Sequence, residues 1–223
     1  MNWELYITLF FGVCAMTLLI GLQMKMRTIA YWKSGVISVV LVLTGIFGSE
    51  LWYFVENFSF GGRSFFGVIF FAPLVFWPVA KFLQVSYQTV LDLIPSAGCV
   101  TLALVKIQCL RDHCCEGRIL YMNENYIYVR FPSQIVELIN FLALAVILFL
   151  MSCKSRYKNK IFPLFLCFYG ITRFALNFFR AELTTYAIGL SAGHFWSVIS
   201  LMTGLIWLLL LCKKQVKETE TME

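Results

Sequence analysis

The sequence predicts an all-α polytopic membrane protein of seven transmembrane helices, and three observations predict it. Composition is 60% hydrophobic and only 13% charged, with a mean hydropathy of +0.79, far outside soluble usage. Apolar runs of about twenty residues, the helical length that spans about 30 Å of hydrocarbon, recur along the 223-residue chain. Short Lys/Arg clusters fall between alternate runs, the pattern that fixes membrane topology.

The first run, near 4–22, has no basic leader. Met1, Asn2, Trp3 and Glu4 precede it, and Lys25, Arg27 and Lys33 follow. It is therefore expected to remain as an anchor with its N-terminus outside. The second run is 34–55 and the third, 64–83, carries Lys81 at its end. The fourth, 88–110, is interrupted by Asp92, Pro95 and Lys106, which is tolerable where neighbouring helices satisfy the freed backbone groups. The fifth, 134–152, leads into Lys154, Arg156, Lys158 and Lys160; the sixth is 161–180. The seventh, 193–212, leads into Lys213, Lys214 and Lys217. All these loop cations fall on one side, which places the C-terminus in the cytoplasm. Residues 1–212 read as a single membrane domain and 213–223 as a charged cytoplasmic tail expected to be disordered. The net charge of +6 records topology and anionic-lipid contact, and its short loops form no continuous patch for nucleic acid.

The other cations are Arg63, Lys106, Arg111, Arg118, Arg130, Arg173 and Arg180, nearly all arginine, the planar fork that grips phosphate or carboxylate in bidentate fashion. This topology puts them on the outer side, where an outer-leaflet anion is the natural ligand. Ionisable groups inside a membrane are costly and mark functional sites unless they merely join helices. Tyr169, Arg173, Asn177 and Arg180 recur at i, i+4, i+8 and i+11, which makes one polar stripe on the sixth helix. Glu50, Lys106, Gln108, Gln134, Glu137 and His194 also map to outer halves, and Asp92 to the inner end.

Eight cysteines do not form a disulfide framework. Cys14, Cys99, Cys109, Cys167 and Cys212 lie in or at the ends of apolar helices and read as small hydrophobes. Asp112-His113-Cys114-Cys115 is read against a metal centre, because neighbouring residues seldom all turn toward one ion and no second Cys-x-x-Cys completes a shell. An outward Cys114-Cys115 pair is open to oxidation. The long outer loop, 111–131, carries Tyr121, Tyr126 and Tyr128, which suit an interfacial belt or a peptide-docking lid.

Several motifs lie in register. Pro132-Ser133-Gln134-x-x-Glu137, Tyr169-Gly170-x-x-Arg173-Phe174 and Phe178-Phe179-Arg180 come with Gly61-Gly62-x-Ser64-Phe65-x-Gly67, with Asp92 and Pro95, and with Gly193-His194. Together they resemble the bacterial prolipoprotein diacylglyceryl transferase family, over roughly 50–205. The resemblance implies a multi-pass enzyme of the bacterial inner membrane, without a cofactor, whose site faces the outer leaflet. It would move the diacylglyceryl group of phosphatidylglycerol onto the lipobox cysteine of a preprolipoprotein signal peptide. It implies catalytic roles for Arg173, Glu137 and Tyr169, with His113 as a candidate base beside Glu116 and His194. It implies substrate contacts at Lys106, Gln134, Ser133, Arg180, Asn177, Arg63, Gly61, Gly62 and His194. A lipid phosphate calls for buried cations, and a cysteine must lose its proton before it attacks carbon.

The chain also departs from the family. Phe66 stands where the best-known members of the family carry a histidine, Lys106 replaces an arginine between Val105 and Gln108 in place of glycines, Val136 replaces a tyrosine and Asn177 a glutamate. One branch of the family resembles the chain more closely, with Gly-Cys-Cys-Tyr-Gly at His113-Cys114-Cys115-Glu116-Gly117 and an aromatic at the histidine position. A relative that binds phospholipid or lipoprotein without turnover is the other reading. A transporter fits less well, since the polar set leans outward and no internal repeat exists.

Overall fold

The computed structural model describes residues 3–122, 128–181 and 190–220. The side chains of Tyr126 and Tyr128 lie outside the described set. Among the described residues eight α-helices follow in order: α1 (Trp3–Met26), α2 (Trp32–Leu43), α3 (Ser49–Asn57), α4 (Phe65–Leu83), α5 (Tyr87–Arg111), α6 (Ser133–Ser152), α7 (Ile161–Asn177) and α8 (Ala192–Glu220). A π-helical turn, Thr44–Gly48, welds α2 to α3, so the second predicted run is one continuous rod with a bulge.

Five helical stretches among the described residues are long and apolar enough to cross a membrane: Trp32–Asn57, Phe65–Leu83, Tyr87–Arg111, Ser133–Ser152 and Ala192–Lys214. Phe10–Met26 and Ile161–Asn177 are shorter apolar helices. Side-chain placement supports the same reading. Large apolar side chains such as Phe10, Val39, Leu74, Ile139 and Leu209 point outward, whereas Gln23, Ser38, Asp92, Ser96, Glu137 and Ser200 are buried between helices. Hydrocarbon around the protein removes any cost to that outward face, so a polytopic helical membrane protein follows.

The packing partners are α7 with α8, and α5 with both α6 and α1. The π turn lies on α4, where a methyl on Gly67 would strike the Gly48 carbonyl and the Trp52 Cβ. Only glycine lets these two backbones approach so closely. Beyond this contact Trp52 stacks near Phe70 and meets Trp196 edge-on at 4.7 Å, which ties α3 and α4 to α8.

The fourth run is not broken. α5 is continuous for 25 residues through Pro95, and Asp92 has a structural use. Its carboxylate accepts the backbone N–H groups of Asn159 (2.6 Å) and Ile161 (3.0 Å), and Arg27 approaches to 3.6 Å. Ile161 opens α7, so Asp92 satisfies from another helix the donors that a helix start leaves orphaned. Beside it Gln23 donates to Ser96 (3.0 Å) and Ser152 (2.9 Å). This end of the bundle is a clamp joining α1, α5, α6 and α7.

Three boundaries differ from the sequence reading. α7 ends at Asn177, so Arg180 lies past the helix, in an isolated bridge opposite Gly117. The 111–131 loop contains a short antiparallel hairpin, β1 (Ile119–Met122) with β2 (Tyr128–Arg130), whose extended chain a helical periodicity does not reveal. α8 continues as helix through the basic stop to Glu220, since Lys, Gln and Glu are good helix formers even without an apolar face.

Asp92→Ala should leave two backbone donors and Arg27 without their acceptor, a loss of about 1–3 kcal/mol for unsatisfied buried groups. A thermal melt of the purified protein in nanodiscs, followed by tryptophan fluorescence, should show a lower midpoint for this variant than for the native chain.

Candidate active site

Lys106 lies 14 residues beyond Asp92 on α5, so at a rise of about 1.5 Å per residue the two stand about 21 Å apart, at opposite ends of the helix. At Lys106's end the side chains converge on one carboxylate. Glu137 sits on the second turn of α6 and is 2% exposed. Its Oε1 accepts Arg173 Nη1 (3.0 Å) from α7 and Arg180 Nη1 (2.9 Å) from the segment after α7. Its Oε2 meets Lys106 Nζ at 2.5 Å from α5. Three cations from two helices and a loop thus meet on a carboxylate buried on a third helix.

Sequence spacing explains half of this. Arg173 falls one helical turn above Tyr169, on the face that α7 turns inward, while Arg180 reaches the same carboxylate because the chain turns back after Asn177. That return is held by the outer loop. Arg118 N donates to the Phe179 carbonyl (2.8 Å), Arg118 Nε to the Arg180 carbonyl (3.2 Å), and Ala181 N to the Glu116 carbonyl (3.3 Å). Glu116 pairs with Arg130 at 2.8 Å across this loop. The loop segment Glu116–Arg118 thus holds the chain that carries Arg180 to Glu137.

Asn177 lies one turn beyond Arg173 and is 1% exposed, yet among the described residues neither its amide nitrogen nor its oxygen has a hydrogen-bond partner. A buried amide without partners costs about 1–3 kcal/mol, so a donor and an acceptor are held ready beside the arginines. Tyr169 is buried among Phe65, Phe66, Phe141 and Phe165, with ring centroids 5.3–6.4 Å away. Phe66, at the place of the family histidine, fills this aromatic box and has no group that moves a proton.

The remaining candidates divide by position. Ser133 Oγ donates to the Cys115 carbonyl (2.6 Å) and Gln134 Nε2 to the Cys114 carbonyl (2.9 Å), so both brace the outer loop on the start of α6. His194, in the first turn of α8, bonds through Nδ1 to Ser191 Oγ (2.9 Å) and packs edge-on against Phe174 and Phe178. Gly61, Gly62 and Arg63 form the link from α3 to α4, with Gly61 at φ +109°, a conformation side chains resist. No hydrogen bond or ion pair among the described residues joins them to Glu137. His113 is exposed on the outer loop with φ +49°, also apart from the carboxylate.

A family model described as prolipoprotein diacylglyceryl transferase matches residues 5–210. The chain belongs to that family. The prolipoprotein diacylglyceryl transferases are transferases of lipoprotein biosynthesis, and the match covers all eight helices except the two ends. A comparison with curated proteins returns no match. The Lys106, Glu137, Arg173 and Arg180 cluster lies inside the span shared with the diacylglyceryl transferase family.

One feature of the site escaped the sequence. The thiols of Cys109, Cys114 and Cys115 come together next to Lys106, although Cys109 reads as a mere helix hydrophobe. Cys115, in the loop, has its thiol pKa held down to about 5, first by a hydrogen bond from Cys109 and then by Lys106 and Arg180, against the opposing effect of burial. A lowered thiol pKa leaves thiolate present above that value and removes it as pH falls through it. Iodoacetamide should therefore modify Cys115 at neutral pH well ahead of Cys153, with the rate declining only near pH 5. Peptide mapping by mass would check this.

Proposed function

We propose that this chain transfers the diacylglyceryl group of phosphatidylglycerol to the lipobox cysteine of a preprolipoprotein, at a site opening to the outer leaflet of the bacterial inner membrane. The observation that carries the reading is the buried cluster in which Lys106, Arg173 and Arg180 meet on Glu137. In this reading the chain crosses seven times, with its N-terminus outside. α1 and α7 complete the five longer spans, and the basic segments around Arg27 and Lys154–Lys160 lie at the Asp92 end. The cluster then stands at the outer end.

The headgroup phosphate enters beside the outer loop and exchanges places with Glu137 on the two arginines, whose forks fit phosphate as well as carboxylate. Asn177 offers its amide to the headgroup glycerol hydroxyls. Lys106 adds charge without a fork. The thiol of the lipobox cysteine gives its proton to Glu137, freed from its cations. The thiolate then attacks the glycerol carbon that bears the phosphate ester: a C–S bond forms, the C–O bond breaks, and glycerol phosphate leaves with the electron pair. Arg173 and Arg180 face the charge that develops on the departing oxygen. Tyr169 holds the base of this stripe in its aromatic box. Glu137 is preferred to His113 as proton acceptor because it lies among the cations, whereas His113 lies exposed on the loop.

The test is expression in a host depleted of its own transferase, with lipid attachment to a lipobox reporter followed by mass. The native chain should add one diacylglyceryl group. Arg173→Ala should lower the rate by 10²-fold or more, by analogy with loss of about 2.7–4 kcal/mol at an oxyanion-stabilising donor. Arg173→Lys should recover only part of it. An inserted native chain that binds phosphatidylglycerol but yields no lipidated reporter would instead favour a binding role, consistent with Phe66.

A further inference from the structure

The three thiols of Cys109, Cys114 and Cys115 lie within 4.8 Å of one another, and no part of the transfer chemistry uses them. Two come from the loop and one from the last turns of α5. Adjacent cysteines do not ordinarily turn their thiols together, and the backbone here is bent so that they do. His113 and Cys115, on either side of Cys114, both hold positive φ (+49° and +59°). Such conformations are unfavourable for non-glycine residues and persist where surrounding contacts fix them. The contacts are present: Cys114 N donates to the Cys109 carbonyl (3.1 Å), while Ser133 and Gln134 hold the carbonyls of Cys115 and Cys114.

From this geometry we infer that Cys109, Cys114 and Cys115 form a binding site for a soft, thiophilic cation such as Zn²⁺, three thiolates on one ion with a fourth position open to water. Zinc–thiolate bonds of about 2.3 Å place two sulfurs of a tetrahedral ion about 3.8 Å apart, so the cluster needs only a small contraction. Soft thiolate donors select soft ions over Mg²⁺ or Ca²⁺. The positive charges of Lys106 and Arg180 act on Cys115 and help offset the negative charge of a tri-thiolate site. Binding exchanges thiol protons for the cation, with the protons released to solvent and no change in oxidation state. The bound ion pins the outer loop to α5, directly over the start of α6, and is a structural brace beside the lipid site.

The experiment uses the full chain, reduced and in nanodiscs, titrated with Zn²⁺ alone after chelator treatment. Maleimide labelling with peptide mapping reads each thiol, and Co²⁺ substitution gives a thiolate-to-metal charge-transfer band. One Zn²⁺ per chain should protect Cys109, Cys114 and Cys115 together while Cys153 and Cys212 continue to label. Cys109→Ser and Cys115→Ser should each weaken binding by about tenfold or more and lose the cobalt band, and Cys14→Ser and Cys153→Ser should change neither. Unaltered tryptophan emission in the Ser variants would establish that they fold. Protection that survives Cys109→Ser, absence of protection with saturating Zn²⁺, or a disulfide between two of the three thiols in the reduced protein would overturn the site.

Discussion

The structure depends on one buried negative charge. Glu137 takes Lys106 from α5, Arg173 from α7 and Arg180 from the chain beyond α7. None of these four groups would be stable alone between apolar helices, because the cost of desolvating a single ion runs to several kcal/mol. Together they fix three helices and the outer loop in one register. Removing the carboxylate leaves three cations facing each other, and removing one cation leaves a partly compensated carboxylate; losses of about 3–5 kcal/mol are typical of breaking such buried pairs. In the proposed function the same strength makes the cluster a poised anion site: a second anion of suitable shape competes for cations already desolvated and oriented, so the fold meets most of the cost of preparing the site.

α5 carries this arrangement from one membrane face to the other. Its Asp92 end is a structural joint, with Arg27, Asn159 and Ile161 around the carboxylate. At its Lys106 end both amide atoms of Asn177 lack hydrogen-bond partners among the described residues, and the loop thiols sit alongside. Two buried carboxylates therefore have different uses. Asp92 mostly meets backbone, which does not leave. Glu137 meets side chains, which can turn toward a ligand. Arg180 links the loop to the cation cluster, through its bridge to Gly117 and its hydrogen bond to Glu137.

Much of this was legible in the sequence, for a physical reason. A bilayer demands about twenty apolar residues per crossing, so most helices declare themselves, and it makes intramembrane charge so expensive that Lys106, Glu137, Arg173 and Arg180 stand out individually. Their pairing does not stand out, because it depends on helix rotation and on the turn after Asn177. The π turn at Thr44–Gly48 was hidden inside an unbroken apolar run. Ser133 and Gln134, which the family resemblance places among substrate contacts, brace loop carbonyls. Cys109 was lost for a different reason: its meeting with Cys114 and Cys115 needs two non-glycine residues at positive φ, which residue types do not announce.

The central claim is that lipid phosphate and Glu137 compete for the same cations, and phosphatidylglycerol affinity in the Glu137→Gln variant tests it most directly. Native mass spectrometry or fluorescence titration in nanodiscs of otherwise neutral lipid would give that affinity. The account predicts that the variant binds phosphatidylglycerol more tightly than the native chain, while melting lower and losing transfer. Weaker or equal binding in a folded Glu137→Gln protein would contradict it, and would assign Glu137 to the fold alone.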